Sequence, residues 1–170
     1  MQFSKGLEIQ KFTVDREEEL KTLFKNLNKN IPTLIIGKPG VGKTHLLFRL
    51  KERIKSPHIY IERFKPVKES LISLYKTLKG KIEEKEDKKI RRLTIKELSE
   101  EIITLLEEYK KNNKDFILIF DHLEELTSST ADILMRLSSL CLVFGATQFI
   151  RRIRHLRRFF WQFDLLEIEP

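Results

Sequence analysis

Residues 37–44 read Gly-Lys-Pro-Gly-Val-Gly-Lys-Thr, the spacing G-x-x-x-x-G-K-[ST]. Gly37, Gly40 and Gly42 let backbone N–H groups turn inward, which makes a cradle for phosphate oxygens. Lys38, Pro39 and Val41 complete the loop, and His45 follows it. Lys43 puts a cation where the β- and γ-phosphates of a bound nucleotide would lie, and Thr44 offers a hydroxyl to Mg²⁺. A helix starting near Lys43 points its free amides at the same anion. Asp121 is the second candidate. It ends the run Phe116-Ile117-Leu118-Ile119-Phe120, which reads as a strand buried on both faces. A carboxylate there can hold Mg²⁺ or its water beside Thr44. His122 comes next, with Glu124 and Glu125 close behind. Guanine-specific signals are missing: no Asp-x-x-Gly follows Asp121, and Asn113-Lys114-Asp115 lacks the spacer of Asn-Lys-x-Asp. ATP with Mg²⁺ is therefore the expected ligand.

These side chains need a frame. Thr33-Leu34-Ile35-Ile36 is a short strand leading into the loop, and Leu46, Leu47 and Leu50 give the following segment, to about Lys55, a helical stripe. Leu20, Leu23, Phe24 and Leu27 predict a helix over 14–28, with Asp15 as its N-cap. His58–Glu62 is a strand and 67–78 a helix. Residues 79–92 are dense in balanced charge and are expected to be a solvated loop or exposed helix. Thr94 and Glu97 form a capping box ahead of a helix to Lys111 striped by Ile95, Leu98, Ile102, Leu105 and Leu106. A helix is expected over Ala131–Leu137, strands over Leu140–Phe144 and Phe163–Ile168, and a basic helix or helical loop over Gln148–Phe160. Strands alternating with helices predict an α/β domain with a mainly parallel sheet.

The chain has 170 residues, enough for one domain with a sizeable core. Hydrophobic residues make up 41%, which excludes a wholly disordered chain. Charged residues make up 34%, rich in Lys and Glu, a bias like that of thermophile proteins. The net charge of +8 permits a polyanionic partner without requiring one. Cys141 lies in the apolar run Leu140–Phe144, where a cysteine is usually a small hydrophobe, and a reducing, cytoplasmic setting fits. No stretch is long enough to span a membrane, and the N-terminus lacks the apolar core of a secretion signal.

With these motifs in place, the chain resembles the AAA+ ATPases, closest to the archaeal ATPase and replication-initiator branches or the related signal-transducing NTPases. Val14-Asp15-Arg16-Glu17-Glu18-Glu19-Leu20 is similar to the segment that opens such domains beside the adenine, usually with Gly where Asp15 stands. Gly37–Thr44 matches Walker A and Ile119-Phe120-Asp121 matches Walker B. Leu142–Thr147 looks like the sensor-1 strand, which makes Thr147 the residue facing the γ-phosphate. Leu156-Arg157-Arg158-Phe159 is similar to the element that carries an arginine finger, so Arg157 or Arg158 would reach a neighbouring subunit's nucleotide. The resemblance implies a three-layer P-loop fold with strand order 5-1-4-3-2 over residues 1–170, with 79–92 as a charged insertion.

Two departures matter. His122 stands where the family usually has the Glu that orients the attacking water, leaving that role to Glu124 or a neighbour. The chain also stops after the fifth strand, so the helical lid and its sensor-2 Arg are absent from it, and the expectation is either a fragment or a minimal ATPase. The run Arg151–Arg158 has three readings: nucleic-acid phosphates, an arginine finger, or a solvated face. Two functions follow. One is an oligomeric Mg²⁺-dependent ATPase working with DNA or a DNA-bound complex. The other is a slowly hydrolysing nucleotide-dependent switch. A small-molecule kinase is a distant third, because no acceptor motif is evident.

Overall fold

The computed structural model describes residues 16–148 and 161–170. Five strands form one parallel sheet: β1 Thr33–Gly37, β2 His58–Ile61, β3 Ile117–Phe120, β4 Leu142–Thr147 and β5 Asp164–Ile168. Their spatial order is β2-β3-β4-β1-β5, which is the predicted 5-1-4-3-2. Among the described residues six helices cover the two faces: α1 Glu17–Asn28, α2 Lys43–Arg53, α3 Val67–Lys79, α4 Glu84–Arg92, α5 Ile95–Lys111 and α6 Ser128–Ser138.

Strand alternation divides the core. Ile35, Ile117, Ile119, Phe144 and Ala146 face the side covered by Leu20 and Leu23 of α1 and Leu46, Leu47 and Leu50 of α2. Leu34, Ile36, Leu118, Phe120 and Val143 face Leu71, Leu74 and Leu78 of α3, Leu98 and Ile102 of α5, and Leu134 of α6. The central strands are therefore apolar on both faces. Asn26 ties α1 to the sheet, donating to Thr33 Oγ1 at 2.9 Å and to Asp164 Oδ2 at 2.7 Å.

Several boundaries differ from expectation. Arg16, not Asp15, occupies the cap position of α1. Helix α2 ends at Arg53 because Ile54 turns extended and sinks into the core. The charged stretch 79–92 contains a helix, α4, mostly exposed but anchored by buried Ile90. Lys76 and Asp87 join α3 to it at 2.6 Å. Strand β4 runs to Thr147 rather than Phe144, and α6 begins at Ser128 behind a Thr127–Thr130 capping box. The Thr94–Glu97 box is present as expected. Cys141 is half-buried with its thiol pushed up to about 12 by burial, so it is no nucleophile near neutral pH. Among the described residues no helix is long and apolar enough to cross a membrane.

Candidate functional site

The glycine-rich loop leaves β1 at the end of the sheet where α2 begins. Gly40 and Gly42 have φ of 80° and 100°, a region costly for residues with a Cβ. Gly37 is required by crowding instead: a Cβ there would lie 2.8 Å from the Ile168 carbonyl oxygen of β5. Val41 is buried, while Lys38, Pro39 and Gly40 are exposed at the rim. Lys43 lies back across the loop, its Nζ donating to the carbonyls of Gly37 at 2.9 Å and Lys38 at 2.7 Å. Burial holds its pKa below the usual lysine value, and the charges of Glu124 and Asp121 oppose that shift. A cation kept short of carboxylate partners in this way gains from the arrival of an anion. Thr44 and His45 follow in the first turn of α2.

Asp121 follows β3 and is 3% exposed. Its backbone N–H donates to Ile61 of β2 at 2.9 Å. Thr44 Oγ1 donates to Asp121 Oδ2 at 2.5 Å, which brings together two residues 77 positions apart. Tyr60 Oη donates to the same oxygen at 3.0 Å. Burial and the Asp121 charge together push the Tyr60 phenol far above its ordinary value, so it remains a donor. The His122 N–H donates to Asp121 Oδ1 at 2.8 Å. His122 has φ 51° and ψ 44°, left-handed for a non-glycine residue, and that turn folds its amide back onto the preceding side chain.

A 3₁₀ turn, Leu123–Glu125, comes next. Leu123 is buried against Gly145, where a Cβ would meet Leu123 Cδ1 at 2.5 Å. The missing side chain at 145 thus seats Leu123 and aims Glu124 along the end of β4. Glu124 Oε2 accepts from the Gln148 N–H at 3.3 Å, and Oε1 lies 3.4 Å from His122 Nδ1. Thr147 is fully buried beside Ile36. Strand alternation puts its side chain on the face of Val143, opposite the face that carries Asp121 and α2. Among the described residues its hydroxyl has no hydrogen-bond partner.

Arg16 takes a structural post. Its guanidinium donates to Val41 O of the loop at 3.3 Å, to Glu19 Oε1 at 2.9 Å, and to Glu169 O just past β5. Val14, Arg157 and Arg158 lie outside the described residues. The fold therefore gathers Lys43, Thr44, Asp121 and Glu124 at one end of the sheet and adds Tyr60, His122 and Gln148. Tyr60 had a usable signal in the sequence: the expected adjacency of β2 and β3 puts the ends of both strands side by side.

The donor set suits a magnesium ion that is held mostly by its ligand. Among the described residues no cluster of His, Cys, Asp and Glu could hold a metal by itself. Mg²⁺ in nucleotide sites keeps several waters and takes few protein ligands. Thr44 turns its hydrogen toward Asp121, which leaves its lone pairs for a cation.

A family model described as an ATPase domain predominantly from Archaea matches residues 13–144. None of the curated proteins matches the sequence. Among solved structures, the fold is similar to Cdc6p from Pyrobaculum aerophilum, with a TM-score of 0.68 and 16% identity over 91% of this chain and 45% of that one. It is similar to a chain of the Drosophila ORC bound to AT-rich DNA and Cdc6, with a TM-score of 0.67 and 16% identity over 95% and 56%. A Walker-type ATPase of Pyrococcus abyssi gives 0.51 and 21% over 89% and 53%. The chain spans about half the length of these proteins, and likeness at such identities speaks for the fold. The family match covers most of the chain and includes both the phosphate loop and Asp121. This chain belongs to the family of ATPase domains found predominantly in Archaea, and its fold is a three-layer α/β P-loop core like that of Cdc6p from Pyrobaculum aerophilum.

Proposed function

We propose that this domain binds ATP with Mg²⁺ at the loop 37–44 and hydrolyses it in step with an oligomeric or DNA-associated process. The observation that carries the reading is the Thr44–Asp121 hydrogen bond at the mouth of the glycine loop, with Lys43 beside it. Gly37–Thr44 would cradle the phosphates through backbone amides, with Lys43 swinging from its two carbonyls to the β- and γ-phosphates. Thr44 would hold Mg²⁺ directly and Asp121 would hold it through its water, and the ion would supply charge neutralisation on the phosphate oxygens. Glu124 orients and deprotonates the attacking water, in the place left by His122. The family resemblance assigns γ-phosphate sensing to Thr147 at the end of β4, whose buried hydroxyl has no partner among the described residues; because the side chain starts on the face of Val143, that role requires the end of β4 to turn it toward the loop. Arg16 sets the edge of the adenine side together with Val14. Arg157 or Arg158 supplies the finger to a neighbouring copy. The net charge of +8 supports an anionic partner such as DNA.

Lys43→Ala tests the core of this reading. Binding of a fluorescent ATP analogue is expected to fall below detection, and wild-type affinity in that variant overturns the assignment. Turnover with and without duplex DNA tests the coupling, for which stimulation is expected.

A second reading is a switch that holds ATP and hydrolyses it slowly. One observation favours it: His122, at the usual position of the water-orienting carboxylate, spends its backbone on Asp121. Tight binding with negligible turnover, unchanged by DNA, selects this alternative.

A further inference from the structure

Tyr60 has no part in the mechanism above, yet it makes direct contact with the Asp121 carboxylate. Its position is well determined. Register places Tyr60 beside Ile119 of β3, so its ring projects to the α2 face of the sheet. There it packs on Phe48 of α2, ring centroids 4.9 Å apart, with Lys51 Nζ 5.8 Å from its centroid. The hydroxyl then reaches Asp121 Oδ2 at 3.0 Å.

The occupancy of that oxygen is the point. A carboxylate oxygen has two lone pairs in the plane of the group. On Oδ2, Thr44 takes one and Tyr60 the other. A cation held on the Thr44 hydroxyl has Oδ2 as the nearest carboxylate oxygen, and that oxygen has no lone pair left. Oδ1 is turned away to the His122 amide. Mg²⁺ sheds its waters reluctantly and tolerates a carboxylate that contacts it through them, whereas Ca²⁺ takes carboxylates directly and often in bidentate fashion.

We propose that Tyr60 is a positioning residue that sets the cation preference of this site: by filling the second lone pair of Oδ2, its hydroxyl keeps Asp121 from binding a divalent ion directly and so favours Mg²⁺ over Ca²⁺. The inference rests on the reading of 37–44 and Asp121 as an ATP–Mg²⁺ site. A phenol that merely satisfies its own hydrogen bond would have no bearing on which ion is chosen.

Tyr60→Phe removes the hydroxyl and keeps the ring against Phe48. The measurement is binding of a fluorescent non-hydrolysable ATP analogue titrated with Mg²⁺ alone and with Ca²⁺ alone. The apparent affinity for Ca²⁺ relative to Mg²⁺ is expected to rise about tenfold in the variant, the worth of one hydrogen bond to a charged group. A ratio equal to that of wild type overturns the proposal. Phe48→Leu loosens the ring stack but leaves the hydroxyl, and is expected to keep the wild-type ratio. A shift as large as that of Tyr60→Phe assigns the effect to packing and also defeats the proposal. Failure of the underlying site reads differently: wild type itself then binds the analogue without either ion, or binds it as well after Lys43→Ala.

Discussion

Asp121 concentrates what individual residues do here. Three donors from three segments meet on one carboxylate: the Thr44 hydroxyl, the Tyr60 phenol and the His122 amide. A buried charge is tolerable only with such partners. Glu124 is the contrasting carboxylate, held by one 3.3 Å amide contact and one His122 neighbour at 3.4 Å. In the proposed mechanism it is the group that works on the water. Glu124→Gln keeps the shape and removes the base, so turnover is expected to fall about 100-fold while nucleotide affinity stays within about threefold. Single-turnover hydrolysis alongside analogue binding measures both, and unchanged turnover removes Glu124 from the mechanism. At this scale the sequence was legible where chemistry fixes spacing. Lys43 and Thr44 follow from the loop, and Asp121 follows from the apolar run. His122 folding back on Asp121 was not legible, because histidine favours a left-handed φ only weakly and most histidines do not adopt it. Thr147 was legible as the polar end of the strand Leu142–Thr147, but which face of the sheet it takes was not, because that follows from which helices cover each face.

Among the elements, the turn after β3 shows how a side chain that is not there can aim one that is. Leu123 occupies the space beside Gly145, and Glu124 is carried on the same turn. Gly145→Ala puts a methyl 2.5 Å from the present Leu123 Cδ1 and 3.1 Å from Leu34 Cδ1. Overpacking of this kind costs about 1–3 kcal/mol. The variant is expected to lose about that much in chemical denaturation, and to lose turnover as the Leu123–Glu125 turn shifts, while still binding nucleotide. Stability and turnover at wild-type levels contradict the account. Helix and strand identity was readable from periodicity, as in α5, whose Thr94–Glu97 cap marks its start. Helix α4 was readable only as one of two alternatives, a solvated loop or an exposed helix, because its single core residue, Ile90, gives no stripe. Its ties to α3 through Lys76–Asp87 and Tyr75–Glu86 are between polar groups that a hydrophobic pattern ignores.

For the whole molecule, the parallel order β2-β3-β4-β1-β5 delivers the ends of β1, β3 and β4 to one edge, where the loop, Asp121 and Gln148 stand. Alternating strands and helices announced a mainly parallel sheet, and the resemblance to the AAA+ ATPases implied the order of its strands. What they did not announce is Arg16, whose guanidinium spans α1, the phosphate loop and the exit of β5. Arg16→Ala is expected to lower unfolding stability by about 2 kcal/mol, read by urea titration, and to weaken analogue binding, because Val41 loses its anchor. No change in either measurement shows that the guanidinium merely rests there.

That guanidinium also has a mechanical meaning. The loop that would close on a triphosphate and the chain leaving β5 hang from one rigid, planar hub. When Val41 moves, its carbonyl must either drag the hub along, tugging on Glu169, or release it and let the start of α1 go slack. Either outcome would tie the position of the loop to the start of α1 and to Glu169 just past β5 through a single side chain.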